Sequence, residues 1–364
     1  MYVNAKALVD GIFHSIDSNS TTINNDLYFG ANNQFINRKA TLDFDSTIYS
    51  FILGKNFEIT PNFMVGVAVG YGRSNTEDVE IKYKLNIEKH YSKCEERVYN
   101  EHTKSYEYVE LWESDNKTFS SDLYMQNIKS NNFIFSAYSL YDRNNIHGGI
   151  KLLYNLNNYD SGEYISKDQW FGMDGFDVNK FDAKQSSHTF SAEFNIGHDW
   201  LVNDSLKLVS TMYLKEMYVL LPGNTIEHNS DNIKIKPNGS NSVSISPEFR
   251  LLFKNKNLFE GKLMANLYVR YNLMLTQVRM NSNFDQIADI KTKYLTKKHE
   301  IIGKNRVVRR MNTKLEQNNF EFGLNAKLLV LKDIIFSLDY RMMALFGRHK
   351  EATYHLGFGI TINL

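Results

Sequence analysis

The chain has 364 residues, enough for one large domain or two ordinary ones, and its 42 lysines and arginines nearly balance 41 aspartates and glutamates. That balance gives no case for a nucleic-acid partner. Aromatics make up 13% of the chain and proline only 4 residues, and no run of about 18 apolar residues exists to form a transmembrane helix. Mean hydropathy is −0.42. A strand-crossing membrane protein averages out in this way, because its lipid-facing and lumen-facing residues alternate. The single cysteine, Cys94, forms no internal disulfide.

Residues 2–17 predict a helix. Ala5, Leu8, Val9, Ile12, Phe13 and Ile16 form one apolar stripe at helical spacing. Gly11 weakens that helix. The polar stretch from Asp17 to Asn25 ends it, so residues 1–25 read as helix and linker and 26–364 as a second unit. The stripe suits a helix packed on a core, and its place directly before the first strand suits a plug inside a lumen. Residues 1–17 lack a basic start and a continuous apolar core, so they do not read as an export leader. An exported chain is then expected to be a fragment or a mature part.

From Asp26 onward the pattern has period two, the period of a β-strand. A first, poor strand covers about Asp26 to Phe35, and a second about Thr47 to Phe57. The third is clean, with Phe63, Val65, Val67, Val69 and Tyr71 against Met64, Gly66, Ala68 and Gly70. The fourth lies near Phe133 to Tyr141, and the fifth carries Ile146, Ile150, Leu152, Tyr154 and Leu156 on one face. The sixth runs through Phe190 to Trp200, and the seventh from Leu206 to Tyr218. The eighth runs through Val243 to Phe253, with Pro247 costing a ladder donor. The ninth runs through Phe259 to Tyr271, the tenth through Phe320 to Leu328, and the eleventh through Ile334 to Phe346.

The chain closes on its most regular strand. Tyr354, Leu356, Phe358, Ile360, Ile362 and Leu364 face one way, and His355, Gly357, Gly359, Thr361 and Asn363 the other.

Short connections near Phe57–Asn62, Asp142–Asn145, Val202–Asp204, Lys254–Asn257 and Leu331–Asp333 alternate with longer ones. The longer ones are Ile36–Ser46, Arg73–Asn132, Asn157–Ser187, Val219–Asn241 and Asn272–Asn319; Gly347–Ala352 is a short exception. Loop lengths sorted by parity predict an all-β, up-and-down transmembrane barrel of about twelve antiparallel strands. The polar faces carry Glu193, Glu248, Arg250, Glu260, Lys262, Arg270, Glu321, Lys327, Asp339 and Arg341. Both signs interleave there, as expected for a hydrated lumen. The opposite faces are nearly free of charge, because a charge at mid-bilayer costs about 2–4 kcal/mol.

The terminal strand resembles that of bacterial outer-membrane barrels, which carries the recognition signal for the barrel assembly machinery. Most such signals end in Phe or Trp, and this one ends in Leu364. Leu53-Gly54-Lys55-Asn56-Phe57, followed by Val65-Gly66-Val67-Ala68-Val69-Gly70-Tyr71-Gly72, resembles the second and third strands of the translocator domain of type V autotransporters. Phe135-Ser136-Ala137-Tyr138 resembles its fourth strand and Leu338-Asp339-Tyr340-Arg341 its penultimate one. The resemblance covers nearly the whole chain. It implies an outer-membrane anchor that supports secretion of a passenger in the same polypeptide, in contact with outer-membrane lipids. A standalone outer-membrane channel or adhesin with ligand-binding loops is the alternative.

No enzymatic chemistry, cofactor or metal is expected. The ten histidines show no metal-ligand spacing. Gly70-Tyr71-Gly72-Arg73 lacks the third glycine of a dinucleotide loop. Some barrels of the resembled family cut themselves at an Asn-Asn pair after the helix. Asn24-Asn25 fits that place, but the pair recurs at 32–33, 131–132, 144–145, 157–158 and 318–319, so it is mostly compositional. The basic stretch Ile290 to Lys314 reads as a solvated loop, with anionic surface polysaccharide or lipid headgroups as the sharper alternative. The charged, aromatic stretch from Tyr91 to Trp112 is expected to extend a hairpin above the membrane.

Overall fold

The computed structural model describes residues 2–19, 25–39, 42–87, 91–100, 102–114, 117–165, 180–221, 224–228, 231–235, 238–255, 263–276, 279–286, 292–296, 299–303, 307–314, 318–331, 333–345 and 350–363. One helix, α1 (Tyr2–Asn19), runs two residues past its expected end. The strands follow in chain order: β1 (Asp26–Lys39), β2 (Leu42–Thr60), β3 (Phe63–Ile87), β4 (Tyr91–Asn100), β5 (Ser105–Ser114), β6 (Lys117–Arg143) and β7 (Ile146–Ile165). Then come β8 (Lys180–Asn203), β9 (Leu206–Leu221), β10 (Asn224–His228), β11 (Asp231–Ile235), β12 (Asn238–Asn255), β13 (Leu263–Met274) and β14 (Arg279–Gln286). The last are β15 (Thr292–Thr296), β16 (His299–Gly303), β17 (Val307–Lys314), β18 (Asn319–Leu331), β19 (Ile334–Leu345) and β20 (Lys350–Asn363).

Twelve of these close one antiparallel barrel in the order β1-β2-β3-β6-β7-β8-β9-β12-β13-β18-β19-β20. Each corresponds to one strand of the sequence pattern. The terminal strand pairs on both sides, with β19 and with β1, where Asp26 stands opposite Asn363 and Lys39 opposite Lys350. Closure leaves no barrel edge unpaired, which is what a hydrocarbon surround requires.

Local chemistry explains the joints. Asn144 and Asn145 both have positive φ, 54° and 65°, giving β6 and β7 a tight two-residue turn of the primed kind. Asn tolerates this backbone better than most residues. On β12 the ladder to β13 pairs Ile245 with Leu273 and resumes at Glu248 with Arg270, passing over Ser246 and Pro247. The missing proline donor accounts for the gap.

Several expected loops are partly strand. β3 and β6 stay paired from Phe63–Tyr141 to Ile87–Lys117, and β4 pairs with β5 as a hairpin in the stretch expected to rise above the membrane. β10 pairs with β11, β14 with β17 and β15 with β16. The basic stretch is therefore strand over much of its described length rather than open loop. β17 also packs on β3, and β16 on β4, although β3 and β13 lie on opposite walls of the ring. The long-loop mouth is thus crossed by backbone. Phe259, Phe346, Asn24 and Leu364 lie outside the described residues.

Candidate functional site

The barrel wall sorts side chains by face. Outward, Phe51, Leu53, Phe135, Leu152, Leu338 and Leu356 are each about half exposed, and the apolar cover continues around the ring. Exposed apolar surface on this scale is far beyond what a soluble monomer carries. On β3 it runs from Phe63 to Tyr71, and a tilted strand needs about 9–11 residues to cross a bilayer. The terminal residues Tyr354, Leu356, Phe358 and Ile362 are exposed on this face, and Ile360 is half-buried on it. Glu216 is a carboxylate on the outer face, and it accepts a hydrogen bond from Asn241 Nδ2 at 3.1 Å.

Inward, Glu193, Glu248, Glu321, Lys327, Asp339 and Arg341 are buried and Arg250 and Arg270 nearly so, as their strand faces require. Glu260 and Lys262 fall outside the described residues. Glu248 accepts from Arg250 at 2.8 Å through one oxygen and from Arg270 at 2.7 Å through the other. Arg270 also lies over the Tyr213 ring at 4.2 Å, a cation–π contact strengthened by desolvation. Tyr268 donates to Glu321 at 2.9 Å. The walls thereby satisfy most of their own charge.

The remainder of the lumen is filled by α1, so the plug reading of the sequence is the one the structure takes. Ala5, Leu8, Val9, Ile12, Phe13 and Ile16 are all buried. They belong to one apolar cluster with the inward side chains Ile48, Ile52, Met64, Ala68, Ile134 and Leu153. The sequence places Met64 and Ala68 on the inner face of β3 but gives no reading of an apolar patch that would receive the helix. A signal was present: Ile48-Tyr49-Ser50-Phe51-Ile52-Leu53 is apolar on both faces of β2. A Cβ at Gly11 would meet the Gln34 side-chain amide on β1, which would have to shift.

Polar ties hold the helix around nearly its whole circumference. Lys151 on β7 is fully buried and reaches Asp17 at 2.5 Å and Glu193 at 2.7 Å. Lys215 on β9 pairs with Asp10, which Lys6 also meets at 3.3 Å. The two ammonium groups flank the Phe13 ring, Lys151 at 5.5 Å and Lys215 at 5.3 Å. His14 meets Asp339 at 2.7 Å, and His355 meets the other oxygen at 3.2 Å. Asn32 donates to Ser15 at 2.8 Å, and Asn325 to Ser18 at 3.4 Å.

The helix has a direction. Asn4 Nδ2 donates to Thr76 Oγ1 at 2.7 Å, on the part of β3 beyond the apolar belt. Asp17, at the other end, meets Lys151, which lies five residues into β7 and so nearer the short-turn rim than Thr76 does. The N-terminal end of α1 therefore faces the long-loop mouth. Its C-terminal end faces the short-turn rim, where β1 begins opposite Asn363. Asn25 Oδ1 accepts the Glu58 backbone N–H at 2.9 Å there.

Fold and site together define a membrane-spanning β-barrel filled by its own N-terminal helix. Its architecture is that of autotransporter translocator domains. The translocator domain of the autotransporter NalP from Neisseria meningitidis superposes with a TM-score of 0.59 at 10% identity, covering 99% of this chain and 98% of that one. The β-domain of the Bordetella autotransporter BrkA does so with a TM-score of 0.53 at 11% identity, covering 94% of this chain and all of that one. At such identity the likeness is one of fold. No family model and no curated protein sequence matches the chain.

Proposed function

We propose that the chain is an outer-membrane translocator that anchors a passenger joined ahead of Tyr2 in the same polypeptide. The course of α1 carries this reading. A segment joined to its N-terminal end leaves through the long-loop mouth, whereas the barrel's own terminus lies at the short-turn rim. Long loops lie on the extracellular side of bacterial outer-membrane barrels. The passenger then stands at the cell surface, tethered by a helix that closes the route it took.

In this reading the lumen charges hold the helix and keep the wall hydrated, and any enzymatic activity belongs to the passenger. The terminal strand is the element offered to the barrel assembly machinery, since it must be in place before β1 can close on β20. A standalone channel would need α1 to leave the lumen.

The test is surface display. An epitope fused ahead of Met1, behind an export leader, is produced in a Gram-negative host. The expected result is that intact cells bind antibody and lose the epitope to external protease. An epitope reached only after the outer membrane is permeabilised would overturn the proposal.

A further inference from the structure

The outer face of β3, β6, β7 and β8 changes character along one register row. Tyr71, Phe133, Leu156 and His188 stand opposite one another in turn, and the next outward row is Arg73, Asn131, Asn158 and Ser186. The row beyond begins with Asn75, Lys129 and Asp160. Apolar cover therefore gives way to polar side chains where these strands leave the bilayer on the long-loop side, at the level of lipid headgroups.

A hollow of about 510 Å³ opens there, lined by Arg73, Lys129, Asn131, Asn158, Asp160 and Ser186. Arg73 and Lys129 are diagonal neighbours across the β3–β6 ladder, close enough for both to reach one anion. Both are exposed, and neither makes an ion pair among the described residues, although Asp160 stands opposite Lys129. Tyr71 donates its hydroxyl to Asn131 Oδ1 at 2.7 Å, which leaves the Asn131 amide NH2 to donate outward. Two cations and an amide donor meet at one spot, and a group that only accepts hydrogen bonds and carries negative charge satisfies all three. Below, small Ala137 and Ala192 leave an apolar groove of about 540 Å³ between Phe135, Leu152, Tyr154 and Phe190, with Glu216 at its far edge. The hollow and the groove together match a molecule with a phosphate head and an acyl chain.

We propose that Arg73, Lys129 and Asn131 form a binding site for the phosphate of a phosphorylated lipid in the leaflet on the long-loop side, with an acyl chain lying over Ala137 and Ala192. The site rests on the barrel spanning a bilayer. It would seat the wall against its leaflet beneath the tall β3–β6 hairpin.

The test is native mass spectrometry of the full chain refolded in detergent, with bisphosphorylated lipid A, its phosphate-free analogue, or inorganic phosphate added. The expected result is retention of lipid A and not of the analogue. R73Q/K129Q should weaken retention about tenfold or more, as loss of charge-assisted hydrogen bonds does, and D160N should strengthen it. Equal retention by R73Q/K129Q and the parent would overturn the site. Equal retention of the phosphate-free analogue would overturn phosphate recognition. Displacement of the lipid by inorganic phosphate at similar concentration would make the ligand a free anion rather than a lipid. Each variant is first run unboiled and boiled on a gel. A parent chain with no mobility shift would overturn the barrel itself, which separates that failure from failure of the site.

Discussion

Lys151 shows what a residue can and cannot disclose from sequence. Its inward place follows from the spacing of Ile150 and Leu152, which face lipid, yet it is absent from the inward charged residues read from the sequence. Its partners were not legible. Asp17 reaches it only because α1 enters the lumen at one depth and one rotation, and neither is written in a strand's periodicity. The pairing leads to a mutation with a definite sign. Lys151→Met leaves the buried Glu193 and the half-buried Asp17 without their shared cation, and breaking one side of a buried ion pair costs about 3–5 kcal/mol. The temperature at which the unboiled gel band is lost should fall. Adding Asp17→Asn and Glu193→Gln should recover much of the loss, because the stranded charges are then gone. Failure of the triple variant to recover would mean that Lys151 acts by packing on Phe13 and Tyr213 instead.

At the scale of elements, the strands were the easiest part to read and their lengths the hardest. Between the membrane boundaries one face meets lipid and the other the lumen, so side chains alternate strictly. Beyond Tyr71 the outward Arg73, Asn75 and Glu77 are polar and so are the inward Ser74 and Thr76, so the apolar–polar alternation fades although pairing with β6 continues to Ile87. This is why Arg73 to Asn132 looked like a loop. The helix was read correctly as amphipathic, but its Gly11 was weighed only as a weakness. In place, that glycine permits the approach of α1 to Gln34. The helix also carries a functional expectation. Deleting residues 1–24 removes the lumen's contents and none of the twelve barrel strands. Planar-bilayer conductance should then rise well above that of the full chain, with strand content by circular dichroism retained. A full chain that already conducts as well as the truncated one would contradict the plug.

For the whole molecule, the architecture was visible in three independent patterns that agree. Loop lengths alternate, charges keep nearly to one face, and the final strand has an apolar face without a gap. Consistency across levels of this kind marks a sequence that specifies one structure. What no local pattern could supply was the meeting of the two walls across the mouth, where β16 and β17 pack on β4 and β3. Such contacts join residues far apart in the chain and leave no periodic trace. The most direct test of the closed transmembrane barrel is a gel of the full chain refolded in detergent, run unboiled and boiled. A closed barrel should migrate faster unboiled and shift on boiling, with β-rich circular dichroism. A chain that is soluble without detergent and migrates identically in both lanes would contradict it.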